Sequence, residues 1–367
     1  QIGSWDCPRC TLTNRPYLHR CGMCHAVAPP HVLVFQRIPS LRFGVEIEII
    51  IPNGKADGLT MESIARDLTV LGPEKVEYLG YTHDVTPNIW KIVTDASIQA
   101  NNGDDRDLCF EIVSPILQGE GAEGLGQLRN VMDNVKRIGI ATNTSCGFHV
   151  HVDAEPDGGS DIASLEALKS VSQCFVSLEN AFDLLASNTE HKHRRTNRNK
   201  YCQSNRIAFG SMSNRQRWNQ IRAARSIHHL VDMMNPQQDR YRKLNLTNLT
   251  RDKRPSTCEF RHHGGVQHVQ EAEGWVRLIL TFCQNASVKY NDAQRCLLRE
   301  EANVKDEVRA LFDLVACPGL EQMFTVDRKL FAEERLSNQW RCKSCRRKFH
   351  NSRSLSQHCM AVGHRMY

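Results

Sequence analysis

The chain has 367 residues, 40% hydrophobic and 24% charged, ordinary for a soluble globular protein with room for one large domain and small modules. A net charge of +6 is mild and partly local, so it does not by itself point to nucleic acid. No apolar run reaches the length of a membrane span and no leader pattern opens the chain. Its start at Gln1 rather than Met suggests a piece of a longer protein.

Residues 1–30 carry Cys7, Cys10, Cys21 and Cys24 as C-x2-C-x10-C-x2-C, a spacing that closes a tetrahedral zinc site. So short a module cannot bury a core, and the metal has to supply its folding energy. Trp5 before the first cysteine and Asn14 between the pairs make it resemble the NZF or Ran-binding-protein zinc finger. In the ubiquitin-binding branch of that finger, a Thr–hydrophobic pair and a later hydrophobic residue touch ubiquitin. Thr11, Leu12 and Met23 stand at the matching positions, with Leu12 where Phe is common. The resemblance implies ubiquitin or a ubiquitin-like protein as partner. RNA binding through Arg9, Arg15 and Arg20 is the second choice. Pro29, Pro30 and Pro39 mark a linker, placed at 31–40.

The central domain is expected over 41–336. Residues 41–51 read as a strand, with Phe43, Val45, Ile47 and Ile49 on one face and Gly44, Glu46 and Glu48 on the other. The two carboxylates then sit about 6.5–7 Å apart. A wet sheet face explains one such pair as well as function does. A helix is predicted over 59–71 with Thr60 as N-cap and Ser63 in its first turn. Strands follow at 90–93, leading to Asp95, and at 108–113, where Glu111 points away from Phe110 and Ile112. An amphipathic helix is predicted over 122–138.

Residues 147–153 form the second informative strand. Phe148, Val150 and Val152 share one face; His149, His151 and Asp153 share the other. Two histidines and an acid opposite an apolar face favour a metal or phosphate site. One long helix is predicted over 162–186. Residues 191–217 are dense in Arg, Lys and Asn and read either as a solvated loop or as a basic lid over an anion. Strand alternation returns at 241–246, and at 257–265, where Thr257, Glu259 and Arg261 oppose Cys258 and Phe260. Helices are predicted over 274–288, 303–314 and 321–336.

Solvated sheet faces favour Lys, Thr and Ser, whereas these five strands bring Glu, His and Arg. Carboxylates crowded into one cup repel each other unless divalent cations neutralise them. Magnesium suits carboxylate oxygens, and arginine suits phosphate oxygens. The segments 43–48, 111–115, 147–151, 241–246 and 259–265 together resemble the amidoligase family, carboxylate–amine ligases of the glutamine synthetase fold. The resemblance covers about residues 41–290. It implies an α+β domain, an antiparallel sheet cup flanked by helices that binds ATP and magnesium. It implies Glu46, Glu48, Glu111, His149 and Glu259 as metal ligands, Arg242 and Arg261 on phosphates, and His151 near the transferred phosphoryl group. Ile116 and Val266 depart from the family pattern, where Pro and Thr are frequent. The implied activity is amide-bond formation through an acyl phosphate, with Asp95 taking the amine's proton and a protein, ubiquitin or a ubiquitin-tagged partner as substrate.

Residues 337–367 hold Cys342, Cys345, His358 and His364 at C-x2-C-x12-H-x5-H spacing, a second zinc finger. DNA readers of this type come in arrays, since one finger covers about 3 bp. A protein-interaction role is therefore expected first and nucleic acid second. Of the 15 cysteines, these fingers account for Cys7, Cys10, Cys21, Cys24, Cys342 and Cys345. The others lack pairing spacing, which fits free thiols in the cytoplasm or nucleus. Two rivals remain at this stage: an inactive ubiquitin- or nucleic-acid-binding adaptor built on a ligase-like core, and a zinc hydrolase built on His149, His151 and Asp153.

Overall fold

A computed structural model of the chain describes residues 5–7, 9–14, 23, 38–82, 86–156, 160–186, 200–252, 255–288 and 296–324. It divides into two units, Gln1–Val34 with Pro318–Tyr367, and Phe35–Cys317. In the first unit β1 (Trp5–Asp6) and β2 (Thr13–Asn14) pair antiparallel. The turn between them is closed by Cys7 N donating to Leu12 O and Thr11 N donating to Cys7 O, both at 2.9 Å. Pro318–Gln322 is a short helix of the same unit. Cys21, Cys24, the whole second finger and residues 325–336 of the last predicted helix lie outside the described residues.

The second unit is built on β3 (Arg42–Ile51), whose alternation predicts a face buried on one side. Phe43, Val45, Ile47 and Ile49 are at most 2% exposed. β3 is central. The sheet order is β4 (Val76–Tyr78), β5 (Trp90–Val93), β6 (Leu108–Val113), β3, β8 (Gly147–Asp153), β10 (Thr257–Gly264), β9 (Leu244–Asn245). β7 (Leu117–Gln118) adds to the start of β3. The sheet is mixed rather than antiparallel throughout, because β4 runs parallel to β5. Helix α1 (Met61–Leu71) lies between β3 and β4 and returns the chain to the same end, which gives β4 the direction of β3. Thr60 and Ser63 form the expected capping box of α1.

The other helices are α2 (Leu125–Ile138), α3 (Leu165–Ser177), α4 (Glu179–Ala186), α5 (Asn214–Arg222), α6 (Ile227–Met234), α7 (Val269–Val288) and α8 (Val304–Val315). α3, α4 and α7 cover the apolar face of β8 and β10. There Phe175 meets Phe260 and Phe182 meets Phe282 edge-on, with ring centroids 5.7 Å and 4.9 Å apart. Each such ring buried contributes about 1.5–3 kcal/mol.

The single helix predicted over 162–186 is broken at Leu178. The Glu307 carboxylate from α8 accepts the backbone N–H groups of Asn180 and Ala181, at 2.9 and 3.1 Å, and so caps a new helix start. The apolar stripe runs on across the break, which is why periodicity does not reveal it. α7 begins at Val269, five residues ahead of the predicted 274. No described helix is long and apolar enough to cross a membrane.

Candidate active site on the polar face of the sheet

Register assembles the site. Glu48 on β3 lies opposite Glu111 on β6, and Glu46 lies opposite His149 on β8. His151 lies opposite Glu259 on β10, which in turn faces Asn245 on β9. Because facing side chains of neighbouring strands are about 4.5–5.5 Å apart at Cβ, these pairs make one continuous row. β10 carries a bulge within it. Phe260 pairs with Val150 and His263 with Phe148, so Arg261 and His262 together oppose His149. The extra residue leaves Arg261 beside Glu259 on the polar face. His262 and His263 turn to the helix side, where His262 packs 5.0 Å and His263 4.8 Å from the Trp275 ring.

Apart from Glu48, the row lines a cavity of about 240 Å³ that also touches Lys91, Asp95, Ser114, Arg240, Asn248 and Arg251. His149 Nδ1 is 2.8 Å from Glu46 Oε2 and 3.7 Å from Glu259 Oε1. Its Nε2 is 3.5 Å from Glu48 Oε1; it is buried and makes no hydrogen bond among the described residues. His151 Nε2 is 3.1 Å from Glu46 Oε1, and its Nδ1 is 3.2 Å from Thr257 Oγ1. Glu48 Oε2 accepts the Gly147 N–H at 2.6 Å. Glu259 accepts from Arg261 Nη1, and from Asn245 Nδ2 at 2.7 Å.

Three groups of ligand atoms overlap along this row: Glu46, His151 and Glu259; Glu46, Glu111 and His149; Glu48, Asp95 and Glu111. Within each group one ligand atom per residue lies within 4.8 Å of the others.

The electrostatics follow from this crowding. Burial pushes the Glu111 carboxyl up, and the negative charges of Glu46, Glu48 and Asp95 push it further, so it sits well above the usual carboxylate range. Burial also acts to raise Glu46. The charges and hydrogen bonds of His151 and His149 overcome it and hold Glu46 well below that range. Glu259 is likewise lowered, Arg261 and His151 outweighing its burial. His151 is raised, because the Glu46 and Glu259 charges outweigh the cost of burying a cation. Buried carboxylates with one raised among them, beside a histidine nitrogen that lacks a hydrogen bond, fit hard divalent cations by donor chemistry.

The family profile described as "putative amidoligase enzyme" matches residues 39–283. The chain belongs to this amidoligase family. No curated protein matches the chain.

Of the residues that the sequence assigned to amidoligase chemistry, Glu46, Glu48, Asp95, Glu111, His149, His151, Glu259 and Arg261 are brought together on this face. Arg242 is not. Its Nε is 3.1 Å from Asp239 Oδ2 and its Nη1 donates to Ser204 O at 3.1 Å, and it does not line the cavity. β9 spans only Leu244–Asn245, so alternation does not carry back to position 242. A bridge to Gln203 turns that stretch onto the neighbouring segment instead.

The basic segment is described only from residue 200 onward. None of the residues 200–217 lines the cavity. Arg206 donates to the Val176 and Ser177 carbonyls, and its Nη2 is 3.2 Å from Glu307 Oε1. Lys91, Arg240 and Arg251 line the cavity unannounced by spacing. Lys91 alone had a usable signal, since alternation from Trp90 puts it on the polar face with Val93. In the first unit Cys7 and Cys10 belong to the hairpin turn, where Arg9 N donates to Cys7 Sγ at 3.4 Å. Thr11 and Met23 are exposed.

Proposed function

We propose that this face binds ATP with magnesium and joins a carboxylate to an amine. The overlapping acid–histidine groups beside Arg261 in one cavity carry the reading. A substrate carboxylate oxygen attacks the terminal phosphorus of ATP, giving an acyl phosphate and ADP. An amine then attacks the acyl carbon, phosphate leaves, and one proton is released. Carboxylates are poor electrophiles, and a phosphate leaving group makes the amide reachable in water.

Glu46, Glu48, Glu111, His149 and Glu259, with Asp95 and His151 alongside, would hold the ions. Bound magnesium would neutralise charge on the polyphosphate and on the oxygens exchanged at phosphorus. Arg261 stabilises developing negative charge there. Its pKa, raised despite burial by the charges of Glu259, Glu46 and Glu48, keeps it a cation throughout. Asp95, grouped with Glu48 and Glu111, is the residue assigned to take the amine's proton. The helix-backed polar cup supports a fold of the glutamine synthetase type. The test is turnover with ATP, magnesium, hydroxylamine and candidate acids: hydroxamate is expected, and its absence with every acid together with no ADP release overturns the reading.

The first unit is assigned as a zinc-bound recognition module, with Cys7, Cys10, Cys21 and Cys24 as ligands and a second zinc at Cys342, Cys345, His358 and His364. Exposed Thr11 and Met23, with half-exposed Leu12, support ubiquitin or a ubiquitin-like protein as the partner and substrate carrier. Labelled ubiquitin titrated against the chain is expected to bind with a Kd in the micromolar range, and binding is lost in T11A/L12A. No binding up to about 1 mM removes the case for a ubiquitin-linked substrate. The buried thiols of Cys258 and Cys283, free among the described residues, fit a reducing compartment, cytoplasm or nucleus.

A further inference from the structure

Arg240 was assigned no role by spacing, yet it lines the cavity. The bland account is a solvated arginine resting on its neighbour's ring. Three observations argue for more.

The first is how its segment is held. Asp239 Oδ1 accepts the Tyr241 N–H at 2.9 Å, while Asp239 Oδ2 is 3.1 Å from Arg242 Nε. That acid pins the stretch and turns Arg242 inward to Ser204 O. Arg240, two residues before it, lines the cavity instead, with Tyr241 between the two in the chain.

The second is the Tyr241 ring. It carries two guanidinium groups, Arg240 at 5.2 Å and Arg261 at 5.9 Å from its centroid. It is itself braced edge-on by Tyr201 at 5.3 Å. Two like charges are held near one aromatic ring, where each gains from the ring quadrupole and loses rotamer freedom in advance.

The third is unmet hydrogen-bonding capacity. Arg261 gives Nη1 to Glu259, but its buried Nε–H has no hydrogen-bond partner among the described residues. The only hydrogen bond described for the Arg240 guanidinium goes from Nη2 to Tyr241 Oη at 3.5 Å, and no described carboxylate pairs with it. Paired planar donors with spare N–H groups, next to a row of cation ligands, match a polyphosphate oxygen set rather than a neutral ligand.

We infer that Arg240 and Arg261, spaced by the Tyr241 ring, form a two-guanidinium clamp for the polyphosphate, and that Arg242 is a structural residue. The inference rests on the ATP reading above and puts the phosphates at the β9–β10 end of the row. The acyl-accepting amine then approaches from the β5–β6 end, where Asp95 lies.

Calorimetric titration of the full chain with magnesium-ATP and, separately, with inorganic tripolyphosphate tests it. R240A is expected to weaken both at least tenfold while the melting temperature stays within about 1 °C of the parent, because a half-exposed surface residue contributes little to stability. R240K is expected to recover only part of the affinity, since a point charge neither stacks nor forks. A parent-like ATP affinity in R240A overturns the clamp and leaves the ligase reading standing. Tripolyphosphate binding that depends on Arg240, without any ATP binding, keeps the clamp and overturns the ligase reading. A parent chain that binds neither probe overturns both.

Discussion

Two buried charged regions lie on opposite faces of the same sheet, and they are built differently. Behind the sheet, Lys243 Nζ meets Glu179 Oε1 at 3.0 Å and Asp183 Oδ2 at 2.6 Å. Arg277 and Arg129 bracket Glu273, and Arg277 also holds Glu120. Acids there are matched by cations of the chain itself. On the polar face, Glu46, Glu48, Asp95, Glu111 and Glu259 crowd together with Arg261 and two histidines, and Lys91, Arg240 and Arg251 line the same cavity. Desolvation and repulsion both oppose crowding these carboxylates together, and overlapping groups of possible metal ligands run through them. The matched region holds elements in place. The polar face differs in that its acids also form overlapping groups of possible metal ligands.

That contrast is sharpest at Lys243. Removing it as K243M leaves Glu179 and Asp183 buried without their cation. Stability is expected to fall by about 3–5 kcal/mol in urea denaturation. Activity is lost with the fold and not at constant fold.

E46Q is expected to do the opposite. Turnover in the hydroxamate assay falls by more than the about 100-fold that outer-shell partners of a metal cost, with the urea midpoint nearly unchanged. Parent-like turnover in E46Q would place the chemistry elsewhere.

Glu111 gives a pH test. Its folded pKa is raised, so its ionisation costs stability. In metal-free protein that stability is complete below the unfolded value of about 4.3 and is lost as pH rises from there through the raised value. Glu46 and Glu259 are lowered and carry the reverse sign: their contribution is present above that range and lost as pH falls through their own values. E111Q is therefore expected to melt a few degrees above the parent at about pH 7, at about 2–4 °C per kcal/mol, with the gap closing toward about pH 4. Magnesium at about 100 times its Kd stabilises the parent by about 2.7 kcal/mol and E111Q by less. An E111Q melt equal to the parent's at every pH, with an equal magnesium shift, would sink the picture of a mutually repelling acid row.

The smallest effect belongs to a pair in neither region. Lys169 Nζ is 2.7 Å from Glu166 Oε1, whose side chain is 78% exposed. E166Q is expected to change stability by less than about 1 kcal/mol and turnover not at all, read by the same melts and assay.

The sequence by itself determined which side of each strand is polar. A strand's period of two is local, so Glu46, Glu48, Glu111, His149, His151, Glu259 and Arg261 could be named as one face of their own strands, and the order of the motifs pointed to the family. The cap at Thr60 was local too, its side chain accepting from the Ser63 N–H within the same first turn. Only the tertiary structure decided which faces meet. Strand register sets Glu48 against Glu111 and Glu46 against His149 across long loops, and no local pattern encodes such pairing. The bulge in β10, the break at Leu178 capped by a carboxylate from a distant helix, and the parallel β4 are likewise non-local. So is the exchange of Arg242 for Arg240 at the cavity: alternation names two sides of a strand, but Asp239 and the bridge to Gln203 decide which arginine the cavity receives.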